Sequence, residues 1–300
     1  MRLDVLEQAA RASGCDVTRD FPLAAHTSFR IGGAAALAVA VKDAAAVPTL
    51  LSLCREQGIA WMPLGNGSNL LVSDRGFDGA VFIAPVGPPI LTDNVVTCPA
   101  GTQLKELCRV ARDAGLSGLE FAFGIPGTVG GGLFMNAGAY DGQLSDVVVS
   151  AVVADADGVR TVTAEEMQLG YRHSAFMDTR DTLILSVTLA LKADDAAAIG
   201  ARMDEFMRRR REKQPLEFPS AGSYFKRPPG HFAGALIEQC GCKGLRVGGA
   251  EVSEKHAGFV VNRGGATCDD VLALEEEVRR RVQEQFGVTL EREVQFIGEE

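Results

Sequence analysis

Positive charge is scarce in this 300-residue chain. It carries 30 Lys and Arg against 39 Asp and Glu, a formal net charge of -9, whereas nucleic acids and anionic membranes require a broad excess of cations. Neither is expected as a partner, and any anionic ligand must meet a local basic pocket. Long apolar runs are missing too. The run Ala34 to Val41 has the length of a strand buried on both faces, far short of the roughly 20 apolar residues of a membrane span. Acidic residues stand at Asp4 and Glu7, where a secretory signal would place its apolar segment, so a cytoplasmic location is expected. The seven cysteines are odd in number and scattered, which suits reduced thiols packed as small hydrophobes and excludes a disulfide framework. Cys240-x-Cys242 has neither a second pair nor a nearby His, and no metal site is expected. No internal repeat or low-complexity tract is present.

The chain has the content of an ordinary soluble globular protein, with 46% hydrophobic and 23% charged residues, and its length favours two or three domains over one. Residues 1 to 20 read as a marginal polar helix and a loop. Ala34 to Val41, a helix with Val47, Leu50, Leu51 and Cys54 at i, i+3, i+4 and i+7, and Ala60 to Leu64 form a β-α-β unit, with Asp43 as N-cap and Gly58 as stop. A second unit has a strand at Val95 to Cys98 and a helix marked by Leu104, Leu107, Cys108 and Ala111. Strands follow at Val147 to Ala154 and Leu183 to Leu191. After Ile199 a helix runs through Met203, Phe206 and Met207 to Lys213, and the change of texture sets a domain boundary between 206 and 207. The last helix spans Asp269 to Phe286, with Val271, Leu274, Val278 and Val282 inside. The tail from Val288 alternates like a strand, with Leu290, Arg292, Val294 and Phe296 on one face and Glu291, Glu293, Gln295 and Ile297 on the other.

Two glycine-rich stretches stand out. Residues 124 to 140 hold six glycines and a proline, a composition that disfavours regular helix or strand and points to an elaborate turn whose main-chain N–H groups wrap an anion, or to a plain connector. Gly65-Asn66-Gly67-Ser68-Asn69 follows a strand's carboxyl end, where open α/β sheets gather their ligands, though a hairpin turn has the same composition. A third loop, Pro219 to Gly230, holds two serines, two aromatics and two cations, suited to a phosphorylated ligand or to a simple connection.

These motifs together carry a resemblance. Thr27-Ser28-Phe29-Arg30-Ile31-Gly32-Gly33, Leu64 to Leu71, Gly124 to Tyr140, Tyr171-Arg172, Ala221-Gly222-Ser223, Val252-Ser253-Glu254-Lys255-His256-Ala257 and Glu293-Val294 resemble, in this order, the UDP-N-acetylenolpyruvoylglucosamine reductase family of flavoenzymes. The resemblance implies an α+β architecture: an FAD-binding region of the vanillyl-alcohol-oxidase/para-cresol-methylhydroxylase type in two parts, residues 1–90 and 91–206, and a separate α/β substrate-binding domain, residues 207–287. Residues 288–300 would be a C-terminal strand returning a carboxylate to the active site. It further implies non-covalent FAD, NADPH as co-substrate, the enolpyruvyl ether of UDP-N-acetylglucosamine as acceptor, and a role in peptidoglycan precursor synthesis, with the protein a monomer.

By the same resemblance, Leu64, Gly65, Asn66, Gly67, Ser68, Asn69, Gly124, Ile125, Pro126, Gly127, Thr128, Gly130, Gly131, Asn136, Ala137 and Gly138 would bind the cofactor. Tyr171, Lys213, Lys226, Arg227 and Gln239 are the candidates for the substrate. Arg172 would stabilise the charge that develops on the acceptor, which suits a permanent, forked cation; Ser223 would donate a proton; Glu293, kept protonated by burial, would hydrogen-bond the enolate. Glu291 shares a face with Glu293, so the choice between them rests on the resemblance. The chain has no room for the tyrosine-bearing insertion found in part of the family, and it resembles the shorter subtype. An oxidase on the same scaffold would share the glycine loops without needing Arg172, Ser223 and Glu293 together; a nucleotide-binding sensor would explain the loops alone.

Overall fold

A computed structural model describes residues 2–298. The chain forms two compact units: Met1–Phe21, Ala36–Asn66 and Gly79–Arg209 make the first, Pro22–Ala35, Gly67–Asp78 and Arg210–Glu300 the second. The boundary expected after residue 206 thus falls inside the helix Ala196–Lys213. Pro22–Ala35 and Gly67–Asp78, expected within the first ninety residues' domain, instead join the C-terminal part. Their apolar side chains explain this: Phe29, Ile31 and Leu71 are buried in one core with Tyr224, Leu274 and Val294.

In the first unit, strand Ala34–Ala40, helix Val47–Gln57 and strand Ala60–Leu64 form as the apolar periodicity predicts. The sheet order, however, is Asp16–Pro22, Ala34–Ala40, Phe77–Ile83, Ala60–Leu64. Phe77–Ile83 lies between the two strands of the β-α-β unit and pairs in parallel with Ala60–Leu64. The edge strand Asp16–Pro22 replaces an expected loop; only Val17 and Phe21 are buried in it, too sparse a pattern to read as a strand. A second sheet has the order Gly158–Thr163, Val148–Asp155, Leu183–Ala190, Val95–Pro99, Ile90–Thr92 and is antiparallel throughout.

The stretch 124 to 140 is not simply a turn. Thr128 caps a short helix, Val129–Phe134, its hydroxyl accepting from the Gly131 N–H at 3.2 Å. None of the six glycines has a positive φ; Asn136 and Tyr140 do, at 44° and 52°. The glycines serve close approach. A Cβ on Gly130 would stand 2.7 Å from Ala100 Cβ, and one on Gly132 3.0 Å from Leu144 Cδ1 and 3.2 Å from Leu104 Cδ1. The helix costs backbone entropy at each glycine, and the packing of its bare face against the strand-to-helix connection at Ala100 offsets it.

The second unit has an antiparallel sheet ordered Ser220–Ser223, Phe259–Asn262, Ala250–Val252, Arg246–Val247. Against its core lies helix Cys268–Phe286, started by a Thr267 capping box and stopped by Gly287 at φ 67°. Val271, Leu274, Val278 and Val282 are buried as the stripe predicts, and so is Glu275. The tail is a regular strand only over Gln295–Ile297, which pairs in parallel with Leu70–Val72. Glu293 and Val294 are both buried, so the backbone abandons strict alternation there.

Gly130→Ala is expected to lower stability by about 1–3 kcal/mol, the cost of overpacking a close-packed site. A chemical-denaturation midpoint equal to that of the unmodified protein would show that the approach at Ala100 is loose.

Candidate active site

Within the first unit the two glycine loops meet. Asn66 Nδ2 donates to the Pro126 carbonyl at 2.7 Å, Gln103 Nε2 donates to Asn66 Oδ1 at 3.4 Å, and a Cβ on Gly65 would stand 2.5 Å from Thr128 Oγ1. Leu64 is buried at the end of its strand, and Gly124 to Gly127 lie opposite the Asn66 side chain through Pro126. The N–H groups of Ile125, Gly127, Gly130 and Gly131 are taken up by protein acceptors. The expectation that the later turn wraps an anion with its main-chain donors is therefore corrected at these positions: those donors hold the turn's own shape. The N–H groups of Asn66, Gly67 and Ser68 enter no hydrogen bond to protein among the described residues.

Arg172 sits in the same unit at the tip of a tight turn closed by reciprocal Gly170–His173 backbone bonds. Its φ of 53° is an unusual conformation for a non-glycine residue. Two groups of the glycine stretch hold it there. The Arg172 Nη2 donates to the Gly138 carbonyl at 2.9 Å, and Asn136, buried and accepting from the Ser145 N–H at 2.9 Å, donates through Nδ2 to the Gly170 carbonyl at 2.9 Å. The Asn136 amide is thus occupied within the protein, and Ala137 beside it is buried. Tyr171 is exposed, with the Arg172 guanidinium 5.4 Å from its ring centre.

In the second unit, the chain's end lies antiparallel to the segment after strand Ser220–Ser223. The Glu293 N–H donates to the Tyr224 carbonyl at 2.9 Å and the Lys226 N–H to the Glu291 carbonyl at 2.8 Å, with Phe225 opposite Arg292. Ser223 is exposed and Tyr224 buried. Glu291 is a surface residue paired with Lys226 Nζ at 3.0 Å, its side chain 73% exposed, whereas Glu293 is buried, with 9% exposed. Burial separates the two carboxylates that strand periodicity left equivalent. The Asn69 Nδ2 donates to the Glu293 carbonyl at 3.2 Å, and the Gln295 N–H to the Asn69 carbonyl at 2.9 Å, so this loop residue also fixes the tail. Among the substrate candidates, Lys226 is engaged with Glu291, Arg227 stacks 3.7 Å over the exposed Phe232 ring, and Lys213 and Gln239 are exposed.

Residues 35–163 match the FAD binding domain family, and residues 214–297 match the C-terminal domain of UDP-N-acetylenolpyruvoylglucosamine reductase. The UDP-N-acetylenolpyruvoylglucosamine reductase of Clostridium perfringens is 46% identical over 94% of this chain and 93% of its own; that of Clostridium botulinum is 47% identical over 95% and 94%. The chain belongs to the UDP-N-acetylenolpyruvoylglucosamine reductase family. The crystal structure of the family's enzyme from Thermus caldophilus, 36% identical, superposes with a TM-score of 0.79 over 95% of this chain and 99% of that one. This family member is accordingly an oxidoreductase with an FAD-binding domain and a C-terminal reductase domain. Among the described residues no helix is long and apolar enough to cross a membrane.

The residues present fit a flavin nucleotide. Thr27 Oγ1 is buried without a hydrogen-bond partner, and Gly67 approaches it so closely that a Cβ would stand 2.3 Å from the His26 carbonyl and 2.8 Å from Thr27 Cα. A buried hydroxyl left unpaired is costly, and beside the unspent donors of Gly67 and Ser68 it suits a phosphate or ribose oxygen. The periodicity of the sequence could not have singled out Thr27, whose partnerless hydroxyl is visible only in the fold. Glu275 and Tyr224 also escaped the sequence reading, although position 275 lies four residues after Val271 and three before Val278, on the buried stripe.

His256, in the motif Val252 to Ala257, accepts from the Gly258 N–H through Nδ1 at 3.1 Å and packs edge-on to Phe259. Burial, first, with the Lys243 and Lys213 ammonium groups adding to it, holds its pKa below the ordinary 6.5. Between that depressed value and 6.5 the unfolded chain binds more protons, so stability is complete above pH 6.5 and is lost as pH falls toward the folded pKa. Unfolding free energies measured from pH 7.5 downward are expected to show this slope, and His256→Asn to flatten it; an unchanged slope in the variant would assign the loss to other groups.

Proposed function

We propose that this chain catalyses the NADPH-dependent reduction of the enolpyruvyl ether of UDP-N-acetylglucosamine to UDP-N-acetylmuramate, in the cytoplasm, as a step of peptidoglycan precursor synthesis. The observation that carries the reading is the backbone bond from Glu293, a buried carboxylate, to Tyr224, the residue that follows the exposed hydroxyl of Ser223. When bound, FAD would supply the redox chemistry, the transfer of a hydride equivalent from NADPH to C3 of the acceptor.

The protein's part is charge and proton management. Addition at C3 leaves an enolate at C2 and the carboxylate, and Arg172 meets that charge with a guanidinium whose position is already set by Gly138 and Asn136. Preorganisation of this kind spares the cost of arranging the cation during the reaction. Ser223 gives its proton to C2, and Glu293 donates a hydrogen bond to the enolate oxygen, which requires it to be protonated, as burial of a carboxyl group favours. A serine is a weak acid, so the proton transfer depends on groups that stabilise the alkoxide. Thr27, Asn66, Gly67 and Ser68 would hold FAD, and Lys213, Lys226, Arg227, Tyr171 and Gln239 the nucleotide sugar. For Lys226 this requires exchange of the exposed Glu291 carboxylate for a phosphate.

Ser223→Ala separates the half-reactions. Anaerobic stopped-flow is expected to show NADPH bleaching the flavin at a rate within about twofold of the unmodified protein. Reoxidation by the enolpyruvyl sugar should slow by about 10²–10⁴-fold, the usual worth of a positioned general acid. Equal loss in both phases would make Ser223 a binding or folding residue, and failure of the sugar to reoxidise the unmodified protein would overturn the reading.

A further inference from the structure

The carboxylate of Glu275 is 4% exposed and takes three hydrogen bonds, from Tyr224 Oη at 2.6 Å, Arg292 Nε at 2.7 Å and Arg279 Nη2 at 2.6 Å. Arg279 is its neighbour one turn along the helix. The other two donors are the residues that directly follow Ser223 and precede Glu293. One buried carboxylate thus holds the side chains of both short segments, next in sequence to Ser223 on one and to Glu293 on the other. Stability alone does not call for this arrangement. The stripe around Glu275 is apolar, and a buried ion cluster is often replaceable by apolar side chains at no loss. What a carboxylate gripping both strands adds is register. Two backbone bonds are described between 224–226 and 291–293, and a slip of one residue in so short a ladder would reverse the faces of all its side chains.

We propose that Glu275 is a positioning residue for the reduction: by holding Tyr224 and Arg292 at once it fixes the register that pairs Glu293 with the residue after Ser223. The inference rests on the roles of Ser223 and Glu293 given above. Burial, with the adjacent Glu275 charge, raises the Tyr224 pKa well above its ordinary value, so its hydroxyl remains a donor across the working pH range. The clamp therefore does not loosen with pH through Tyr224.

Glu275→Gln keeps the shape and one acceptor and removes the charge; Tyr224→Phe removes a single donor and leaves the Glu275–Arg292 pair. In the flavin-loaded protein, Glu275→Gln is expected to slow reoxidation by the enolpyruvyl sugar between about tenfold and a hundredfold, the cost of a misplacement near 1 Å. Reduction by NADPH should stay within about twofold. Tyr224→Phe should give the same pattern at smaller amplitude and decides the matter if the first variant does not fold. Amide hydrogen exchange, independent of turnover, should accelerate at Glu293 and Lys226 and remain unchanged in Ala250–Val252 and Phe259–Asn262. Accelerated exchange with normal reoxidation would overturn the proposal, and so would loss of both half-reactions in proportion with faster exchange throughout the unit. Failure of the reductase reading shows separately, as an unmodified protein that the sugar does not reoxidise; exchange at Glu293 and Lys226 would then decide whether Glu275 holds the register.

Discussion

The chemistry proposed for the second unit depends on a short piece of backbone pairing, Tyr224 to Lys226 against Glu291 to Glu293. Two hydrogen bonds, one of them from the backbone of Glu293 to that of Tyr224, join the end of the chain to the segment that follows Ser223, some seventy positions earlier. Neither residue is placed by a long regular element: Ser223 ends a four-residue strand, and Glu293 precedes a three-residue one. Such short elements do not specify register strongly by themselves. The surrounding side chains do so instead. Asn69 holds the Glu293 carbonyl, and the buried Glu275 carboxylate takes hydrogen bonds from Tyr224 and Arg292, one from each segment.

The first unit solves a similar problem with different means. Arg172 is held in a left-handed conformation by the Gly138 carbonyl and, through Gly170, by the Asn136 amide. Asn136 is itself left-handed. The strained positions in the glycine-rich stretch are borne by residues whose side chains bond elsewhere in the unit, Asn136 to the Gly170 carbonyl and Tyr140 to that of Phe206, while the glycines provide closeness at Ala100, Leu104 and Leu144. The stretch shapes the turn, and the turn in part holds the arginine.

Much of this was legible in the residues. The helices at Val47–Gln57 and Cys268–Phe286 follow from apolar spacing and from caps, because local periodicity dictates which face is buried. The candidate trio was legible only through the resemblance. No local rule distinguishes Glu293 from Glu291 on one strand face; the fold buries the first and leaves the second exposed beside Lys226. The helix at Val129–Phe134 ran against glycine's poor propensity because tertiary packing outweighed it. The assignment of Pro22–Ala35 and Gly67–Asp78 to the second unit was invisible for a related reason: chain order says nothing of which core receives Phe29, Ile31 and Leu71.

The account makes Ser223 and Glu293 one device, joined through the Tyr224 backbone, and residues that act as a unit are not additive. The direct test is a double-mutant cycle of Ser223→Ala and Glu293→Gln, read as the rate at which the enolpyruvyl sugar reoxidises the reduced flavin. The account predicts that each substitution alone costs most of the rate and that the double variant is little slower than the worse single one. A double variant slowed by the full product of the two single effects would contradict it.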